Sequence, residues 1–177
     1  MEKLKIGLLF DSEYVSAWEY AMLERIQNSG YAQIDLIVEN NAEKTKYSLF
    51  QKLRIHFKQF WYLFFSVVEN KFIKVSPDAF AKKNIDKLTV NVEKIKVVPT
   101  QTKFIDRISS PDIEKIKTFQ IDVFIRLGFR ILKGDILTVA KNGVWSYHHG
   151  DNDENRGRPP GIWEFLQKWD TTGMILQ

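Results

Sequence analysis

Cysteine is missing from the chain altogether, and with it go thiol catalysis, disulfide frameworks and thiolate zinc sites. Histidine is scarce: there are three, with His148 and His149 adjacent and His56 far from both, which leaves little material for an all-histidine metal site. Long hydrophobic runs are missing too. The longest, Phe60 to Val68, is broken by Ser66 and falls far short of the roughly 18 residues that a spanning helix needs. No membrane span is expected. The opening Met-Glu-Lys and its short apolar run to Phe10 lack the shape of a signal peptide, so the expected location is cytoplasmic. The net charge is +4, but the excess is spread thinly, with no block of about five or six like charges. Nucleic-acid binding is not expected. What is present is ordinary globular material, 44% hydrophobic and 27% charged. A chain of 177 residues buries most of its apolar surface unaided, and one domain over residues 1–177 is expected.

Short apolar runs read as strands at Leu4 to Phe10, Ile34 to Val38, Lys94 to Val98, Val123 to Leu127, Val144 to Tyr147 and Gly173 to Leu176. Between them lie helical signals. Asp11 and Ser12 are placed to cap a helix carrying Trp18, Met22 and Ile26 on one face and ending before Gly30. Ser110-Pro111-Asp112 offers a capping hydroxyl, a proline for the first helical position and an acid in the first turn, for a helix to about Phe119. Asp135 to Ala140 reads as one or two turns, and Ile162 to Trp169 as a further helix. The alternation predicts an α/β fold: a Rossmann-like, mostly parallel sheet with helices on both faces.

Two stretches break the rhythm. Residues 47–72 hold a large share of the aromatics, and Phe50, Leu53, Phe57, Phe60, Phe64 and Val67 recur at helical spacing. The plain reading is a sheet-packing helix whose second half is buried all round. A homodimer or partner contact through residues 50–68 and membrane association are the alternatives. Residues 76–92, polar and lysine-rich, read as a solvated excursion.

The first strand-to-helix turn, Phe10-Asp11-Ser12-Glu13-Tyr14, has no glycine. A dinucleotide pyrophosphate needs glycines there so that backbone amides can approach it, and the two acids would repel it. A nicotinamide or flavin enzyme is therefore not expected, and no P-loop occurs. Chemistry-bearing residues concentrate instead between Gly143 and Gly161. Ser146 and His148 lie two apart on a strand, so they project from one side, about 6–7 Å apart. A hydroxyl donor and an imidazole at one spot suit stabilisation and protonation of a tetrahedral intermediate. A structurally hydrogen-bonded histidine with loop caps is the alternative.

From Ser146 through His148, Arg156-Gly157, Pro160 and the Trp163 helix to Thr172-Gly173, the chain resembles the folate-dependent formyltransferase family. That family's signature runs Asn-x-His, Arg-Gly, Pro, helix, Thr-Gly at these intervals. Upstream, Gly128-Phe129-Arg130-Ile131-Leu132-Lys133-Gly134 resembles its folate loop. The resemblance covers Asp122 to the C-terminus. It implies formyl transfer from 10-formyltetrahydrofolate to a small amine, such as an amino-sugar nucleotide. It implies that His148 is the acid/base group, with Ser146 in the place of the catalytic Asn. Backbone groups of Arg130 to Leu132 would hold the pterin, and Phe129, Ile131, Leu137 and Val144 would line its pocket. For Leu137 and Val144, plain sheet core is an equal reading. Asp151, Asn152 and Arg156 would form the substrate loop, with a surface pairing of Arg156 to Asp153 or Glu154 as the alternative.

Three departures from the family stand out. Ser146 replaces its Asn with a shorter donor, Asp151-Asn152-Asp153 replaces an apolar Leu-Leu-Pro, and the family's catalytic Asp falls beyond Gln177. A sheet that stops at Leu176-Gln177 reads as cut within an element, so an incomplete C-terminal end is expected. The glycine-free first turn argues against a phosphoribosyl acceptor. A non-catalytic binding or interaction module on the same fold is the alternative function.

Overall fold

The computed structural model describes residues 2–43, 48, 57, 59–72, 76–151, 153–154 and 162–177. Its centre is a 6-stranded sheet in the order β11-β10-β8-β1-β3-β5, where β1 is Leu4–Phe10, β3 Ala32–Asn40, β5 Glu93–Val97, β8 Val123–Arg126, β10 Val144–His149 and β11 Met174–Leu176. Strands β10, β8, β1, β3 and β5 run parallel, and β11 closes the edge antiparallel to β10. The expected mostly parallel α/β sheet is present, and its order reverses about β1, as doubly wound sheets do.

Both faces are covered. On one, helix α1 (Ala17–Asn28) sets Leu23 against Ile6, Leu8, Ile37, Val123 and Ile125. On the other, the helix Ser110–Lys117 sets Ile113 and Ile116 against Leu9, Val38, Val97 and Phe124. Within the sheet, Gly7 leaves room for its register partner Phe124 on β8, whose ring would lie 2.1 Å from an added Cβ. A β-bulge between Ile6 and Gly7 adjusts the register there.

Several local expectations are corrected. Helix α1 is not capped by Asp11 or Ser12. A short strand β2 (Tyr14–Ser16) intervenes, and the helix opens at Ser16, whose N–H and hydroxyl both donate to Glu19 at 2.7 and 2.6 Å. Asp11 is engaged elsewhere, as described below. The later helix is capped by Ser109 rather than Ser110, its Oγ accepting the Asp112 N–H. Residues 76–92 are mostly exposed and are anchored at a few points: β4 (Lys82–Asn84) pairs with β2, the Ile85 N–H reaches the Glu13 carbonyl, and Ile85 is buried.

The aromatic stretch departs furthest. Its described part, helix α2 (Phe60–Phe72), leaves Phe60, Trp61, Tyr62, Phe64, Phe65, Val67 and Phe72 exposed, so it is not a sheet-packing helix buried all round. Tyr47, Phe50 and Leu53 lie outside the described residues. Among the described residues no helix is long and apolar enough to cross a membrane.

Candidate functional site at the carboxyl ends of β8 and β10

Parallel sheets present their loops, and hence their ligands, at the carboxyl ends of their strands. Here β8 ends in Arg126 and β10 in Ser146 to His149, with Arg126 and Ser146 in register. Alternation sorts β10 into two faces. Tyr147 and His149 turn toward α1, where both meet Trp18 edge-on, with ring centroids 5.3 and 6.1 Å apart. Ser146 and His148 take the other face. Ser146 Oγ accepts from Arg126 Nε at 3.1 Å and from Nη2 at 2.6 Å. His148 Nε2 is buried and has no hydrogen-bond partner among the described residues.

The loop after β8 is held by charged side chains from distant parts of the chain. Gly128 passes so close to the end of β1 that a Cβ would stand 2.5 Å from the Asp11 nitrogen. Phe129 then adopts a left-handed φ of 64°, which costs a non-glycine residue about 1–3 kcal/mol and concentrates at functional sites. Its N–H donates to Asp11 Oδ1 at 2.8 Å. The next N–H, of Arg130, donates to Asp106 Oδ2 at 2.8 Å. Arg126 Nη1 donates to the carbonyls of Phe129 and Arg130 at 3.3 and 3.0 Å. Asp106 is fully buried on β7 (Ile105–Arg107) and also accepts from Gln101, which offsets the desolvation of its carboxylate. Beside it, β9 (Ile131–Leu132) pairs parallel with β7.

A cavity of about 180 Å³ opens among these groups, lined by Trp18, Glu19, Arg126, Leu127, Gly128, Phe129, Ser146, Tyr147 and His149. It joins the two loci singled out in the sequence, the Phe129 loop and Ser146. His148 is not part of its wall. Of the other residues expected to line a pterin pocket, Leu132 is buried in the core and Val144 packs against that core. Ile131 and Leu137 are exposed, and Arg130 lies at the surface with its guanidinium on the Thr102 carbonyl. Asp151 Oδ1 accepts the Asp153 N–H at 2.9 Å, and its backbone lies 2.7 Å from where a Cβ of Gly173 would be. Asn152 and Arg156 lie outside the described residues. Among the described residues no cluster of His, Asp and Glu could hold a metal ion.

Arg126, Asp11, Asp106 and His149 were not among the candidate site residues read from the sequence, where Asp11 served only as a helix cap and an acid of the first turn. Arg126 left a trace as the charge that interrupts the apolar run Val123 to Leu127.

The sheet order, the layering and the loops at this edge define a formyltransferase-like α/β fold. A solved structure similar to the chain is glycinamide ribonucleotide transformylase 1 from Symbiobacterium toebii, at a TM-score of 0.54 and 12% identity over 98% of this chain. The chain spans 65% of the length of that protein. No family model matches the sequence, and no curated protein matches it. At this identity the likeness shows the fold.

Proposed function

We propose that the chain carries a formyl-transfer site, taking the formyl group of 10-formyltetrahydrofolate to a small primary amine. The observation that carries this reading is the orphaned, buried Nε2 of His148, on the same strand face as a hydroxyl. A buried nitrogen without a partner costs free energy, and an imidazole so left is available to take and return a proton.

The site fits the folate in part. The carbonyl oxygens of Phe129 and Arg130 each accept one bond from Arg126 and retain a second lone pair for the ring N–H and amino donors of a pterin. The loop's own donors are less free: the Arg130 N–H is taken by Asp106 and the Ile131 N–H by the Phe104 carbonyl. Of the expected pterin cradle of backbone groups at Arg130 to Leu132, the donors of Arg130 and Ile131 are therefore taken and the carbonyls serve as acceptors, with Phe129 as the apolar wall. At about 180 Å³ the cavity is below the usual range for whole ligands, about 300–1,000 Å³, and suits one end of a folate.

When bound, the folate supplies an electrophilic formyl carbon: the amine nitrogen bonds to that carbon, the bond to N10 breaks, and the proton lost by the amine is returned to N10. In this chain His148 holds that proton in between, and the Ser146 hydroxyl donates to the oxygen as it gains charge. The glycine-free turn at Asp11 to Tyr14 disfavours a phosphoribosyl amine, so an amino-sugar nucleotide is the favoured acceptor class. The test is to incubate the chain with 10-formyltetrahydrofolate and a panel of primary amines that includes amino-sugar nucleotides. One amine should be formylated with stoichiometric release of tetrahydrofolate. No product from any amine, together with no folate binding, would sink the reading.

A second reading, an interaction module, is favoured by the exposed aromatics of α2. It takes the form of a homodimer through that helix. Sedimentation should then show a concentration-dependent dimer that Phe64→Glu dissolves; a strictly monomeric wild type counts against it.

A further inference from the structure

We propose that Arg126 is the positioning residue of this site, fixing the Ser146 hydroxyl as a hydrogen-bond donor and tying it rigidly to the Phe129–Arg130 turn. The inference rests on the formyl-transfer reading and adds to it the group that makes a serine serviceable there.

Three observations carry it. Arg126 and Ser146 are register partners on parallel strands, so their side chains leave the sheet on one side. Two guanidinium nitrogens, at 3.1 and 2.6 Å, converge on Ser146 Oγ. A hydroxyl has two acceptor lone pairs and one proton. With both lone pairs engaged, donation is the one capacity left, and it is directed away from the guanidinium. Among the described residues no group accepts that proton. Bonds from an ion are also stronger than neutral ones, and they draw electron density from Oγ, which makes the hydroxyl a better donor to an oxygen that is acquiring charge.

The third nitrogen reaches the other half of the site. Arg126 Nη1 holds the carbonyls of Phe129 and Arg130, while Asp11 and Asp106 hold the N–H groups of the same two residues. The left-handed turn at Phe129 is thus fixed from both sides by ions. One planar guanidinium sets the distance between the donor and the folate turn, which a flexible ammonium would not do. A serine is shorter than an asparagine, so a donor held in one orientation and strengthened by charge offsets the lost reach.

The test compares wild type, Ser146→Ala, Arg126→Gln, Arg126→Lys and the double variant Ser146→Ala/Arg126→Gln. Three readouts are taken: turnover of 10-formyltetrahydrofolate, binding of 5-formyltetrahydrofolate by calorimetry, and the Arg126 Nε–H signal in nitrogen-15 spectra. Each single change to Ala or Gln should lower kcat by about 10²-fold or more, the usual loss for one such donor, and the double variant should be no worse than either. Ser146→Ala should bind the folate within about threefold of wild type, and Arg126→Lys should fail to restore kcat. The Nε–H signal should shift and lose protection in Ser146→Ala. Multiplicative losses in the double variant, or Arg126→Lys with wild-type kcat, would overturn the proposal and leave the transfer reading standing. A wild type that neither binds nor turns over folate would defeat that reading and the donor role with it. The Nε–H signal would then still decide the pairing, and a signal unmoved by Ser146→Ala would overturn that as well. If Arg126→Gln fails to fold, Ser146→Ala and Arg126→Lys carry the same comparison.

Discussion

Strand β10 presents two faces made from four consecutive residues, and they are put to different ends. On the α1 side, Tyr147 and His149 are spent on packing: both rings stand edge-on to Trp18, in the geometry that aromatic quadrupoles favour. On the other side, Ser146 is fixed by an ion and His148 keeps a buried nitrogen with no partner among the described residues. The two histidines are adjacent in sequence and chemically identical. Strand alternation sets His149 on the α1 side, beside Trp18 in the cavity wall, and His148 on the other side with its Nε2 buried. A pair of neighbouring histidines in a strand is thus better read as one candidate on each face than as a cluster.

That comparison can be broken or sharpened by substitution. The largest effect is expected for His148→Ala, which should lower formyl transfer by about 10²–10⁴-fold. Its denaturation midpoint should stay near that of wild type, because the change removes an unsatisfied buried nitrogen. Gly128→Ala should act on stability instead. Its Cβ would meet the backbone of Phe10 and Asp11, which cannot swing aside, and overpacking of this kind costs about 1–3 kcal/mol by denaturant titration. His149→Ala removes one edge-on contact and should cost about 0.5–1.5 kcal/mol, with a loss of turnover at least tenfold smaller than that of His148→Ala. Equal kinetic losses for the two histidines would erase the distinction between the faces. Phe64→Glu, on a side chain 56% exposed, should change monomer stability by less than about 0.5 kcal/mol; a larger loss would mean that α2 packs on the domain after all.

Much of the fold is legible in the sequence because apolar runs flanked by polar residues mark buried strands. Expected and observed strands agree closely at β1, β3, β5, β8 and β10. The elements that were missed are β2, β4, β6 (Thr100–Gln101), β7 and β9, each two or three residues long and too short to show a period. The start of α1 was misplaced because Asp11 looks like a cap, and only the fold reveals that its carboxylate belongs to Phe129, 118 positions away. The aromatic helix misled for a different reason. Helical periodicity reports which side chains could share a face, and carries no information on whether anything covers it.

The site was half legible. Its expected location, at the end of β10 and the loop after β8, rests on residue types and a family resemblance, and a cavity joins Ser146 and the Phe129 loop there. The groups that hold it were not legible, because Asp11, Asp106 and Arg126 act across 118, 24 and 20 positions. Sequence-local reasoning has no access to pairings at such separations. The resemblance implies that backbone groups of Arg130 to Leu132 hold the pterin, whereas the N–H groups of Arg130 and Ile131 are already engaged within the fold.

The central proposal is that His148, and not His149, handles the proton in transfer, although it is His149 that lines the cavity. The direct test is an imidazole nitrogen-15 spectrum of the chain, titrated with 5-formyltetrahydrofolate. The account predicts a saturable shift of the His148 resonances at the same midpoint as calorimetric binding, beside the shift that His149 shows as a residue of the cavity wall. A His148 signal that stays fixed while folate binds would contradict it.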